Sequence, residues 1–203
     1  MAKWSVPGDE SRFRAVTAIT VSRIPVSIVL VLLATRADTA NWKVTLGLLI
    51  LLTFIEVSDG LDGYLARKWG VGSEWGAMLD PYSDSVARLV VYFGLGQAGL
   101  VHPALLLVMA FRDVTVAYCR ILLTQAGRSV AAMLSGKIKA VVQAVGAYAA
   151  VLSAYLPFAF PEGDPIAISS LVISVLVGGV TLWSIGQYAS GALAAVRAQD
   201  DSQ

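Results

Sequence analysis

The chain has 203 residues, of which 57% are hydrophobic and 14% charged, with a net charge of +1. A chain this apolar cannot cover itself with a water-facing surface, and its scattered basic residues exclude a nucleic-acid-binding face. A single cysteine, Cys119, excludes an internal disulfide, and with His102 as the only histidine there are too few soft ligands for zinc, so any metal must be held by oxygen.

Residues 1–15 mix acidic and basic side chains and read as a polar cytoplasmic segment at a mature terminus, with no small-residue cleavage site before the first apolar stretch. Membrane-length apolar segments then follow at about 16–35, 42–65, 76–98, 103–125, 134–158 and 166–196. In hydrocarbon every backbone polar group must be paired within its own segment, so these segments are helices. The expected fold is an all-α integral membrane protein, one domain over residues 1–203 built as a six-transmembrane-helix bundle.

Polar residues interrupt these spans in a pattern. The first contains Arg23 and Pro25, and the second turns abruptly polar at Glu56, Ser58, Asp59 and Asp62. Asp80, Asp84 and Arg88 open the third span, Arg112, Asp113 and Arg120 lie in the fourth, and Lys137 and Lys139 open the fifth. The sixth carries Gly186, Ala189, Ser190 and Gly191, small residues suited to close helix packing inside the bundle. An even number of spans returns both termini to one side. Arg67, Lys68 and Arg128, with Lys137 and Lys139, outweigh Arg36, Lys43 and the acidic loop PFAFPEGDP, so the side of Lys3, Arg12 and Arg14 is cytoplasmic. The aspartates then sit toward the cytoplasmic ends of their helices.

An ionised carboxylate at bilayer depth costs roughly 2.5–3.5 kcal/mol, so clustered acids need compensating cations. Asp59 and Asp62 are three residues apart, and Asp80 and Asp84 four apart, so each pair shares a helix face. A short loop joins the two helices, which should lie antiparallel and bring both pairs to one depth. Such a cluster suits two hard divalent ions, Mg²⁺ or Mn²⁺. Gly60 and Gly63 clear space beside the acids, Ala66 keeps the approach open one turn on, and Arg67 is placed to meet a phosphate or an aspartate. Two ions on shared carboxylates can clamp a pyrophosphate, which is a phosphoryl-transfer arrangement.

Asp59-x2-Asp62-Gly63-x2-Ala66-Arg67-x8-Gly76-x3-Asp80-x3-Asp84 fixes eight positions over 26 residues and resembles, without gap or substitution, the signature of the CDP-alcohol phosphotransferases. The resemblance implies that Asp59, Asp62 and Asp80 ligate metals, that Asp84 ligates and acts as general base, and that the CDP moiety lies along Gly63 and Ala66, with CMP as leaving group. It also implies a homodimer. Within the family the chain looks most like the phosphatidylglycerophosphate synthase branch, through Thr20-x2-Arg23, Arg112-Asp113-Val114 and Gly136-Lys137-Ile138-Lys139-x3-Gln143. Two departures are Thr17, where that branch usually has asparagine, and Ser85, where a lysine usually follows the fourth aspartate.

The implied function is transfer of a phosphatidyl group from CDP-diacylglycerol to sn-glycerol 3-phosphate at the cytoplasmic face of the inner or plasma membrane, among membrane lipids. Thr20, Arg23, Gly63, Ala66, Arg67 and Gly76 are the candidates for holding the CDP-lipid. An acceptor bearing a phosphate needs cations apart from the metals, and Arg112, Arg120, Lys137 and Lys139 supply them. Alternatively, Arg112 neutralises Asp113 or Glu56 and the two lysines reach lipid headgroups. Glu56 reads either as support behind the metal ligands or as a structural partner for a cation. Inositol phosphate, serine and phosphatidylglycerol are the alternative acceptors. Outside the class, a divalent-cation transporter would also gather intramembrane acids, but has no need of Arg67 or the spacing to Gly76. A purely structural membrane subunit would carry four buried acids without a task.

Overall fold

The computed structural model describes residues 9–125 and 134–200, and Lys3 and Arg128, two of the charges that orient the chain, lie outside the described residues. All regular structure among the described residues is helical: α1 (Glu10–Arg36), α2 (Trp42–Trp69), α3 (Glu74–Gln97), α4 (Ala104–Gln125), α5 (Leu134–Ser153), the short α6 (Leu156–Ala159) and α7 (Pro165–Asp200). Helices α1, α2 and, over Pro165–Ala194, α7 are long and apolar enough to cross a bilayer. Helices α3, α4 and α5, of 24, 22 and 20 residues, have spanning length but are less apolar because they carry Asp80, Asp84 and Arg88, then Arg112, Asp113 and Arg120, then Lys137 and Lys139. This is an all-α membrane protein.

Local signals set the helix ends. The Asp9 carboxylate caps α1 by accepting from the Arg12 N–H at 3.1 Å, a bond that also lowers its pKa. Asn41 caps α2 in the same way through the Lys43 N–H, 3.0 Å away. Helix α2 stops at Gly70, whose φ of 65° lets the Val71 N–H turn back to the Ala66 carbonyl at 3.1 Å. Three residues on, the Ser73 hydroxyl accepts from the Gly76 N–H at 3.0 Å and starts α3.

The chain divides into two compact units, Met1–Ala98 and Gly99–Gln203. In the first, α1 packs against both α2 and α3, while α2 and α3 touch only marginally. The sequence reading expected α2 and α3 to bring their acids together directly; in the structure α1 is the shared partner. The reason lies on its buried face: Thr20, Arg23 and Ser27 are small or cationic where the acids lie, and Leu30 and Ala34 are apolar beyond. Helices α1 and α3 approach so closely that a Cβ on Gly94 would stand 2.9 Å from Val31 Cγ2 and 3.0 Å from Val31 Cα. The Arg12 guanidinium stacks on Trp69, 5.8 Å from the ring centroid, so the start of α1 lies beside the end of α2.

In the second unit α7 is the shared partner of α4 and α5. Val116, Cys119 and Leu123 of α4 form a core with Tyr188 and Ala192 of α7, so Cys119 is a buried free thiol. The fifth span, expected to run to residue 158, ends instead at Ser153, and α6 follows with Pro157 in its first turn. Proline has no N–H to give the carbonyl four residues back, here that of Ser153, and its ring crowds that carbonyl, so α5 stops there and a new helix starts with Pro157 in its first turn. Helix α7 opens on Pro165, with the Asp164 carboxylate accepting from the Ala167 N–H at 2.9 Å.

Candidate active site

The polar end of the first unit is organised around Arg23, whose side chain is 0% exposed. The short-range logic is helical: Thr20 and Arg23 are three residues apart on the face that α1 turns to its neighbours. Arg23 Nη1 donates to Asp59, and Nη2 donates to Asp62 Oδ2 at 2.6 Å and to Asp80 Oδ1 at 2.7 Å. Its Nε donates to the Thr20 carbonyl at 3.2 Å, while the Thr20 hydroxyl donates to Asp62 Oδ2 at 2.7 Å. One guanidinium thus gathers three aspartates from two helices. They differ in access: Asp62 is 3% exposed, Asp59 39% and Asp80 51%. Asp62 forms the floor and the other two form an open rim.

Asp84 belongs to a second group. Arg88 Nε donates to Asp84 Oδ1 at 2.8 Å, and its two terminal nitrogens donate to the Glu56 oxygens at 3.0 and 3.3 Å. This fork links α3 to α2 where the helices scarcely pack, and it gives Glu56 the part of a cation's structural partner. It also takes one Asp84 oxygen and sets the direction of the other.

Together the two groups place five carboxylates against two guanidiniums, leaving three negative charges unmatched in these ion pairs. An all-oxygen donor set with surplus negative charge suits hard divalent cations. Among the described residues no three acidic, histidine or cysteine side chains stand ready around one ion, because the Arg23 guanidinium holds the space between the aspartates.

Beside this cluster a cleft of about 220 Å³ opens between α1, the end of α2 and the start of α3. Thr20, Gly63, Ala66, Arg67 and Gly76 line it, with Asp62 and Asp80 in its wall. The structure therefore brings together five of the six residues expected to hold a CDP-lipid, and the sixth, Arg23, lies behind the aspartates. Gly63 keeps the wall bare beside Arg67, whose Nη1 would stand in ordinary contact, 3.5 Å, with a Cβ there.

The second unit holds a separate cationic group. Arg112 Nη1 donates to Asp113 at 2.8 Å and its Nε to the Ser184 hydroxyl at 3.0 Å, while Lys139 Nζ approaches Asp113 at 3.4 Å. Arg112 thus pairs with Asp113 and not with Glu56. The guanidiniums of Arg112 and Arg120 both lie on the Tyr188 ring, 5.6 and 5.7 Å from its centroid. Of the four cations expected to bind an acceptor phosphate, Arg112 and Lys139 share Asp113, Arg112 and Arg120 share the Tyr188 ring, and Lys137 is exposed.

The CDP-alcohol phosphatidyltransferase family profile matches residues 15–184, across both units. The chain belongs to this family. Its curated relatives include three proteins named CDP-diacylglycerol–glycerol-3-phosphate 3-phosphatidyltransferase. The one from Mycoplasma genitalium is 40% identical over 44% of this chain and 38% of its own length. The Bacillus subtilis protein is 33% identical over 64% of this chain and 68% of its own, and that of Pectobacterium atrosepticum 30% identical over 70% and 76%. The match thus spans well under half of the first relative and about two thirds to three quarters of the others.

Several residues of this candidate site were not singled out for it in the sequence. Phe13 and Ser73 also line the cleft, as does Thr17, which the sequence marked only as a departure from the branch's asparagine. Arg23 was assigned to the CDP-lipid, yet an arginine inside an apolar span needs a carboxylate, and Asp59, Asp62 and Asp80 were the nearest in depth. In α7 the signal was present: Thr181, Ser184 and Tyr188 recur at helical spacing on a mostly apolar helix.

Proposed function

We propose that this protein is a phosphatidyltransferase of the membrane that moves the phosphatidyl group of CDP-diacylglycerol to sn-glycerol 3-phosphate and releases CMP, with its active site facing the cytoplasm. The observation that carries the reading is the cleft whose walls combine the small residues Gly63, Ala66 and Gly76 with Arg67, Asp62 and Asp80. A nucleotide needs bare backbone to lie against, a cation for its phosphates and acids to hold divalent ions. All three features meet in one place. The relatives' names and the family match support the same reaction.

Asp59, Asp62, Asp80 and Asp84 would hold two Mg²⁺ or Mn²⁺ ions, which would polarise the pyrophosphate and neutralise charge on the departing phosphate. The chain's own residues do the rest. Arg67 meets a phosphate oxygen at the mouth of the cleft, and Gly63 and Ala66 let the cytidine approach the α2 backbone. Asp84, with one oxygen held by Arg88, takes the proton of the acceptor's C1 hydroxyl through the other. The acceptor's C1 oxygen then forms a bond to the lipid-side phosphorus as the bond from this phosphorus to the bridging oxygen of CMP breaks. Within the second unit Arg112, Arg120 and Lys139 form a cationic group suited to a phosphate. Arg120 favours a phosphorylated acceptor over serine or inositol, because no carboxylate pairs with it among the described residues.

The test is CMP release from CDP-diacylglycerol by the purified protein with Mg²⁺ or Mn²⁺ and, separately, glycerol 3-phosphate, inositol phosphate, inositol, serine or phosphatidylglycerol. Release with glycerol 3-phosphate alone is expected. Release with a different acceptor would keep the chemistry and move the substrate, and metal-dependent release with none would overturn the reading. Asp84→Asn is expected to abolish turnover while CDP-diacylglycerol still binds; retained turnover would remove its role as base.

A further inference from the structure

Arg88 is 7% exposed and sits among the buried Ala87, Val91 and Tyr92 of α3. Its guanidinium is shared unequally between carboxylates of two helices. Both terminal nitrogens donate to Glu56 of α2, at 3.0 and 3.3 Å, and only Nε donates to Asp84, at 2.8 Å. An arginine with one carboxylate to itself closes a fork on it, Nε and a terminal nitrogen each taking one oxygen. Here the terminal nitrogens are occupied by Glu56, and the guanidinium holds Asp84 through Oδ1 alone. Among the described residues Arg88 is the only cation paired with Asp84, and Ser85 beside it carries no charge. The direction of the Asp84 carboxylate therefore depends on how Arg88 divides its donors.

We infer that Glu56 is a positioning residue that acts on Asp84 through Arg88: by occupying the terminal nitrogens it keeps the second Asp84 oxygen out of the fork and open to the acceptor hydroxyl. A buried guanidinium that loses one anionic partner turns its freed donors to the anion that remains. Nε already lies on Asp84, so without the Glu56 charge the fork closes there and both oxygens of the base are taken. The inference rests on the reading of Asp84 as the base, and it gives Glu56 a part in turnover without contact with substrate.

Kinetics of the full-length protein at saturating Mg²⁺, with CDP-diacylglycerol and glycerol 3-phosphate varied separately, test it in Glu56→Gln, in Arg88→Gln and in the double variant that combines them. Glu56→Gln is expected to lower kcat about thirtyfold, part of the roughly 10²–10⁴ that a placed base contributes, with both KM values within about twofold of wild type. Adding Arg88→Gln removes the group that closes on Asp84 and is expected to raise kcat about threefold or more above that of Glu56→Gln. A pair that merely tied α2 to α3 would leave the double variant no faster. An unchanged kcat in Glu56→Gln, a change confined to KM, or a double variant no faster than Glu56→Gln would overturn the inference. Should the melting curve show that Glu56→Gln does not fold, Arg88→Gln is compared with the double variant. Their kcat values are expected to agree within about twofold, because Glu56 then has nothing to act through, and a wider gap would be equally fatal. Turnover retained in Asp84→Asn would remove the base reading and this inference with it, a result distinct from an essential Asp84 that is indifferent to position 56.

Discussion

At the residue scale the first unit depends on a cation that the chain itself provides. Arg23 is fully buried and pairs with three aspartates, one of them equally buried. Removing one partner of a buried ionic group leaves the others desolvated and unpaired, at a cost of about 3–5 kcal/mol. Arg23→Gln is therefore expected to lower the unfolding temperature strongly in chelator and to recover part of the loss when Mg²⁺ or Mn²⁺ is added, because a divalent ion can take over the same carboxylates. A variant as stable as wild type in chelator would show that the guanidinium is not what holds them. Asp62, which also accepts from Thr20 and the Gly63 N–H, is the most constrained of the set, whereas Asp59 and Asp80 are free enough to turn toward a ligand.

At the scale of elements, the glycines separate packing from access. Gly94 lies against the backbone of Val31, so Gly94→Val must push α1 and α3 apart and is expected to cost about 1–3 kcal/mol, read as a lower melting temperature. Gly60 has nothing within 4 Å of an added Cβ, so Gly60→Ala should fold at least as well as wild type. If its bareness serves the ligand, CMP release falls in Gly60→Ala while the melting temperature holds; unchanged activity would assign Gly60 no such part. The helices themselves were legible because apolar runs of bilayer length end at Asn41, Gly70, Ser73 and Pro165, residues that start or stop helices by known chemistry. Pro157 announced the early end of α5 but was read through. The lateral order of helices was not legible: a short connection between α2 and α3 suggests contact, and nothing local to either records that α1 is the preferred neighbour of both. For that reason the four aspartates could be singled out while their splitting between Arg23 and Arg88 could not.

At the scale of the whole molecule, three helices have the length and apolar character of bilayer spans and three more have the length with buried charge, so the six-span reading makes a topological prediction. With Cys119 replaced by serine, Lys68→Cys is expected to resist a membrane-impermeant maleimide applied outside intact cells, and Glu162→Cys to react with it. The reverse pattern would invert the chain and move the cleft to the outer face. The two units also differ in when they can be completed. In the first, the shared partner α1 precedes the helices that pack on it. In the second, the shared partner α7 follows them, so during synthesis α4 and α5 enter the bilayer carrying Arg112, Asp113 and Lys139 before the helix that supplies Ser184 and Tyr188 exists. The growing chain thus passes through a stage in which the first unit has all its helices while the second still lacks the one on which its others pack.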